Sequence, residues 1–98
     1  MKQIKNNNYV IIQGWMINEL NLSGNDLMVY AIIYGFSQDE ESSFKGSREY
    51  LSNWCNSTIR GIQKNLNNLL ERNLIIKEES ELGKICRYKC NPEFIPKK

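Results

Sequence analysis

The residues best equipped for chemistry in this sequence are cations and amides at helical spacing. Arg60, Lys64, Asn67 and Asn68 fall on one side of a helix drawn over 58–72. Gly61 lies beside them, and Ser57 and Thr58 stand at its start. At about 100° per residue, this side opposes an apolar stripe of Ile59, Ile62, Leu66, Leu69 and Leu70. Up to Asn68 the polar side carries two cations, several hydrogen-bonding groups and no acid. That is the chemistry of major-groove reading: Arg bidentate on guanine, Asn bidentate on adenine, Lys on phosphate or guanine. Hydroxyl and amide donors at the helix start suit a phosphate. Any surface helix is polar outward. What favours a nucleic acid here is the lack of acids over about three turns and a tight turn just before. Gly61 costs about 1 kcal/mol against Ala inside a helix. It either admits a partner's backbone or is a tolerated defect.

Other chemistries lack their residues. The 98 residues contain no His, which removes the Ser-His-Asp triad, the Cys-His pair and the imidazole base. Three cysteines are present, Cys55, Cys86 and Cys90. Cys86 and Cys90 are four apart, but with Cys55 they fall short of the four ligands of a structural zinc site. No metal site, no cofactor and no catalytic constellation are expected, so the chain reads as a non-enzyme. The odd cysteine count and the absence of an apolar N-terminal segment point to free thiols in a reducing cytoplasm. No apolar run is long enough to span a membrane.

The elements that must position the polar face follow from pattern. Residues 1–8 are polar and read as a flexible N-terminus. Tyr9-Val10-Ile11-Ile12 is a β-branched run that predicts a strand or extended segment. The stretch 15–20 reads as a short helical turn. Ser23 is placed as an N-cap, with Asp26 able to bond back toward it. Leu27, Tyr30, Ala31 and Tyr34 then recur at helical spacing. Met28, Ile32 and Ile33 widen the apolar surface nearly all round, which predicts a central helix ended by Gly35. An acidic loop, 38–43, leads to a minimal strand at Phe44-Lys45. Ser47 caps a short helix over 48–54 with Tyr50, Leu51 and Trp54 on one face. Cys55-Asn56 turns the chain, and Ser57 caps the helix over 58–72. Asn73 tolerates the left-handed backbone that a helix end needs. A strand over 74–78, a turn over 79–83 and an alternating strand over 84–90 make a hairpin. Trp15, Tyr30, Tyr34 and Trp54 could stack on bases, but their apolar settings assign them to the core.

The order is helix, short helix, tight turn, helix, hairpin. It predicts an α+β fold: a winged helix-turn-helix with a three-helix core and a C-terminal two-stranded β wing. One domain covers 9–92, followed by a tail over 93–98. Charge divides along the chain. Residues 1–50 carry four Lys/Arg against six Asp/Glu, and residues 51–98 nine against five. The basic half suits a polyanion. Within it, Lys84, Arg87 and Lys89 of the last strand could reach a phosphate backbone. Glu78, Glu79 and Glu81 make the wing tip acidic, which repels one.

Several segments carry a resemblance. These are Trp15-Met16-Ile17-Asn18-Glu19-Leu20-Asn21-Leu22-Ser23-Gly24-Asn25 and Tyr30-Ala31-Ile32-Ile33-Tyr34-Gly35-Phe36-Ser37-Gln38-Asp39. They are joined by Phe44-Lys45-Gly46-Ser47, Tyr50-Leu51, Trp54 and Asn56-Ser57-Thr58. The ending Leu70-Glu71-Arg72-Asn73-Leu74-Ile75-Ile76-Lys77, and Tyr88 before Cys90-Asn91-Pro92, complete the set. Together they resemble the N-terminal winged-helix domain of replication initiators in Gram-positive phages and plasmids, of the DnaD replisome-organiser type. The resemblance implies a winged helix that binds origin DNA or self-associates, beside a further domain that recruits helicase machinery. Asn73 stands where such domains most often have Gly, and the acidic wing is a second departure.

The expectation from sequence is therefore a double-stranded DNA-binding module of a phage, plasmid or mobile element, acting in replication or regulation. Its site is Ser57, Thr58, Arg60, Gly61, Lys64, Asn67 and Asn68, flanked by Lys84, Arg87 and Lys89. The alternative is a protein-binding module that offers Glu78, Glu79 and Glu81 to a basic surface. Such a module could be an oligomerisation domain, or an inhibitor of a host nucleic-acid enzyme such as a CRISPR effector. Once the core is assigned, no long apolar stripe is left exposed, so a monomer or weak homodimer is expected. Sedimentation at micromolar concentration should show no tight dimer.

Overall fold

The apolar run in the first half of the sequence forms the helix around which everything else packs. The computed structural model describes residues 4, 6–37, 44, 48–79 and 86–96. Its elements are helices α1 (Gly14–Asn18), α2 (Gly24–Gly35), α3 (Arg48–Cys55) and α4 (Ile59–Glu71), then strands β1 (Ile75–Glu79) and β2 (Cys86–Cys90). A 3₁₀ turn, Pro92–Phe94, follows. In α2 five successive residues, Val29 to Ile33, are buried. A helix covered on all sides needs neighbours on all sides. Here α1, α3, α4 and β2 supply them. Trp15 of α1 packs edge-on against Tyr30 and Tyr34, with ring centroids 6.1 and 5.5 Å away. Trp54 meets Tyr50 in the same manner. The aromatic residues thus belong to the core and its margin.

The hairpin is antiparallel, with Ile75 paired to Cys90 and Glu79 to Cys86. Two strands alone are marginal in water. This pair is held down by Tyr88 and Cys90, both buried against the helices. The minimal strand expected at Phe44 is present as an isolated bridge. Phe44 donates to the Tyr88 carbonyl at 2.6 Å and accepts from the Tyr88 amide at 3.0 Å. Phe44 therefore lines the free edge of β2 and is itself buried. Four helices and this sheet make an α+β winged helix. The expected loop 38–43 and turn tip 80–83 lie outside the described residues.

One local expectation is narrowed and another needs correction. The run Tyr9-Val10-Ile11-Ile12 forms no strand. Tyr9 and Ile11 are 79% and 60% exposed, and of these residues only Val10 packs on the core. β-propensity describes fit to a pleated, half-buried surface, and no described strand lies beside this run. Ser23 occupies the N-cap position of α2 with extended backbone but makes no capping bond through its side chain. Asp26 does not bond back to it either. Its carboxylate accepts from Asn65 Nδ2 of α4 at 2.6 Å, a link between helices in place of a cap.

The turns after α1, α3 and α4 share one device. Asn21, Asn56 and Asn73 all adopt left-handed backbone, with φ of 57°, 52° and 62°. At α4 the closure is complete: Asn73 donates to the Leu70 carbonyl and Leu74 to the Leu69 carbonyl, each at 3.0 Å. Leu74 and Leu69 are both buried, the apolar contact that accompanies this motif. The chain then enters β1. Asn91 secures the junction from the far side, its amide donating to the Asn73 carbonyl at 2.8 Å.

The stripe of α4 is buried at Ile62, Leu66 and Leu69, and partly at Leu70. Ile59, at the first turn, is 43% exposed. Leu66→Ala should destabilise the domain by about 2–5 kcal/mol, the range for a fully buried leucine. Ile59→Ala should cost clearly less. Urea unfolding of the two variants measures both, and similar losses would show that the register of α4 is wrong.

Candidate nucleic-acid interface

The polar face of α4 is presented by a tight turn. Helix α3 ends at Cys55, Asn56 takes the left-handed conformation, and the Ser57 amide donates to the Ser52 carbonyl at 3.0 Å. That bond closes α3. The cap of α4 is therefore Thr58 and not Ser57, a correction of one residue. Thr58 has extended backbone (φ −85°, ψ 161°), and its Oγ1 accepts from the Gly61 amide at 3.0 Å. The Ser57 backbone amide is taken up by the preceding helix.

The turn and the cap together crowd Gly61. A Cβ there would stand 2.7 Å from Ser57 Oγ and 3.3 Å from Thr58 Oγ1. The close approach that the glycine serves is inside the chain, between the helix and the hydroxyls of Ser57, in the turn, and Thr58, its cap. Sequence alone offers only a partner's backbone or a tolerated defect.

Beyond the cap, Arg60, Lys64 and Asn67 are exposed on one face, while Gly61 and Asn68 are half-buried at its side. Arg60 and Lys64 form no hydrogen bond or ion pair among the described residues. The first acid on this helix is Glu71, in its last turn. Just beyond it, Arg72 donates to the Leu20 carbonyl and anchors the far end of α4 on the α1 turn.

Two side chains that sequence reasoning passed over join this face. Arg48, the first residue of α3, donates through Nη1 to Gln63 Oε1 at 2.6 Å. Gln63 Nε2 donates in turn to Asn67 Oδ1 at 3.0 Å. The spacing of Gln63 and Asn67, four residues on a helix, was a readable signal. The reach of Arg48 across the turn was not, because it depends on how α3 packs on α4.

The wing carries less. Arg87 is exposed, but it stands directly across the ladder from Glu78, also exposed. Lys89 is half-buried opposite Ile76. Glu79 pairs with Cys86 in the ladder. Lys84 and Glu81 lie outside the described residues. The described face of the wing is thus of mixed charge and does not form one basic or acidic surface.

Cys90 and Tyr30 are buried and Cys55 is half-buried. Burial pushes the Cys90 thiol up to about 12 and raises the Tyr30 phenol, which has the Cys90 sulfur beside it. Burial also raises Cys55. A nucleophilic cysteine needs the opposite shift. Among the described residues, no three Cys, Asp or Glu side chains are grouped so as to hold a metal ion. No helix among them is long and apolar enough to cross a membrane.

Two helices joined by a turn of this kind, with the second exposing cations and amides, define a helix-turn-helix. This architecture places its second helix on DNA. The chain belongs to a helix-turn-helix domain family, which matches residues 20–75. The match takes in α2, α3, α4 and the first residue of β1. No curated protein matches the sequence.

The cap assignment has a measurable consequence. Thr58→Ala should destabilise the domain by about 1 kcal/mol, the usual loss of an N-cap side chain, and Thr58→Ser should restore most of it. Ser57→Ala should cost less than Thr58→Ala. Thermal unfolding that ranks the two alanine variants the other way would return the cap to Ser57.

Proposed function

We propose that the chain is a double-stranded DNA-binding winged-helix module that lays α4 in the major groove. The observation that carries this reading is the exposed row Arg60, Lys64 and Asn67, free of acids until Glu71, on the second helix of a helix-turn-helix. Arg60 and Lys64 supply the cations that neutralise phosphate or read guanine, and Asn67 supplies an amide for a base edge. Asn68, Gly61 and the hydroxyls of Ser57 and Thr58 border this row. Of the wing, Arg87 and Lys89 are the described residues that could add backbone contacts. The setting we propose is replication or regulation in a phage, plasmid or mobile element. Its support is the resemblance of 15–25, 30–39 and 70–77 to the winged helices of replication initiators.

The alternative, protein docking through Glu78, Glu79 and Glu81, loses support from the ladder, where Arg87 opposes Glu78. Charge reversal separates the two readings. Arg60→Glu with Lys64→Glu should leave folding nearly intact, since exposed changes of this type move stability by about 0.5 kcal/mol or less. It should nearly abolish binding to duplex DNA, and any residual binding should show a flatter salt dependence. Reversal of Glu78, Glu79 and Glu81 to Lys should leave duplex affinity unchanged or raise it. Fluorescence anisotropy with A/T-rich and random duplexes at two salt concentrations measures all three proteins. A parent that binds no duplex at low salt would end the DNA reading, as would a double variant that binds as tightly as the parent.

A further inference from the structure

Three side chains that bridge α3 and α4 form a row of hydrogen bonds with a fixed direction. Arg48 Nη1 donates to Gln63 Oε1 at 2.6 Å, and Gln63 Nε2 donates to Asn67 Oδ1 at 3.0 Å. A guanidinium has donors only. Gln63 must therefore turn its carbonyl oxygen toward Arg48, which turns its amide nitrogen toward Asn67. Asn67 must answer with its own carbonyl oxygen. One cation on α3 thus sets the polarity of two amides on α4.

The consequence falls on Asn67, which is exposed on the same face as Arg60 and Lys64. An unrestrained asparagine amide rotates between two nearly equivalent orientations, because its terminal torsion is broad and two-fold. Here one orientation is selected before any partner arrives. Both Nδ2 hydrogens and one lone pair of Oδ1 remain unused by the row. The side chain so presents a donor and an acceptor in a set order. In the major groove, adenine shows an N7 acceptor beside an N6 donor, whereas guanine shows two acceptors. With Nδ2 toward N7 and Oδ1 toward N6, such a pair fits adenine at both positions, whereas guanine offers Oδ1 no donor.

We propose that Arg48, Gln63 and Asn67 form one reading unit, in which Asn67 recognises an adenine of the DNA site while Arg48 and Gln63 are positioning residues. This rests on the reading of α4 as the major-groove helix and adds to it the base class and two residues. Ordering the amide in advance also removes part of the entropy lost when a surface side chain is immobilised on binding.

The test begins with selection of preferred duplexes from a random library by the parent protein. Each adenine in the selected site is then replaced by 7-deazaadenine, which lacks the N7 acceptor. One position should weaken binding by roughly ten-fold, the scale of a bidentate base contact. Asn67→Ala should erase that difference. Arg48→Met should largely erase it too, although Arg48 touches no base on this proposal. Arg48→Lys, which keeps a side chain with donors only, should retain most of it. Thermal unfolding confirms that each variant is folded.

Two results would overturn the inference and leave duplex binding in place. In one, the parent binds duplexes with no adenine preference. In the other, Arg48→Met weakens all duplexes equally and keeps the deaza effect, so that Arg48 is only a phosphate contact. Failure of the parent to bind any duplex would instead remove the major-groove reading, and the unit with it.

Discussion

Helix α4 can turn a polar face outward only because its other face is buried against α2, α3 and β1. Ile62, Leu66 and Leu69 are fully buried there. Asp26 and Asn65 add a directional link across the same contact. Burying three large aliphatic side chains stabilises the domain by several kcal/mol, on the scale of about 1.5–3 kcal/mol each. No interaction on the exposed face approaches that sum. The rotation of α4 about its axis is therefore set by the core, and whatever the outward residues do, they do from positions the core dictates. The turn after α3 and the Asn73 closure fix the two ends of the same helix, so its translation is limited as well.

This dependence explains what sequence pattern could and could not reveal. Elements governed by burial were readable. The stripe of α4, the all-round apolar surface of α2 and the inward alternation of Tyr88 and Cys90 each follow from a period that burial imposes. Asn73 was readable because its side chain tolerates a backbone that few residues accept. Features governed by competition among hydrogen bonds were not. Ser57 and Thr58 are both good caps in isolation. Thr58 takes the role, its hydroxyl accepting from the Gly61 amide, while the Ser57 backbone belongs to the turn that closes α3. Asp26 is drawn away from Ser23 by an asparagine thirty-nine positions along the chain. The run 9–12 has strand composition without a neighbour to pair with.

The candidate site divides in the same way. Arg60, Lys64 and Asn67 could be placed on one face from spacing alone. Gly61 could be noticed but not explained, since its crowding partners are the hydroxyls of the turn residue Ser57 and the cap Thr58. The Gln63–Asn67 pair was within reach of spacing, but the bond from Arg48 was not, because it spans two helices. The wing shows the reverse case. Its charges could be counted from sequence, but only the ladder register reveals that Glu78 faces Arg87. Opposite charges set directly across a ladder offset one another.

The three asparagines at the helix ends matter in a state that the folded contacts do not display. Glycine would accept the left-handed backbone at Asn21, Asn56 and Asn73 without steric cost. It would also leave the denatured chain freer to wander through conformations that folding must then give up. Asparagine visits the left-handed region readily for a residue with a side chain, and it roams less elsewhere than glycine does. Each of these turns thus narrows the denatured ensemble at a place where the chain must reverse. Part of the stability of this small domain accordingly resides in the conformations its unfolded chain is denied.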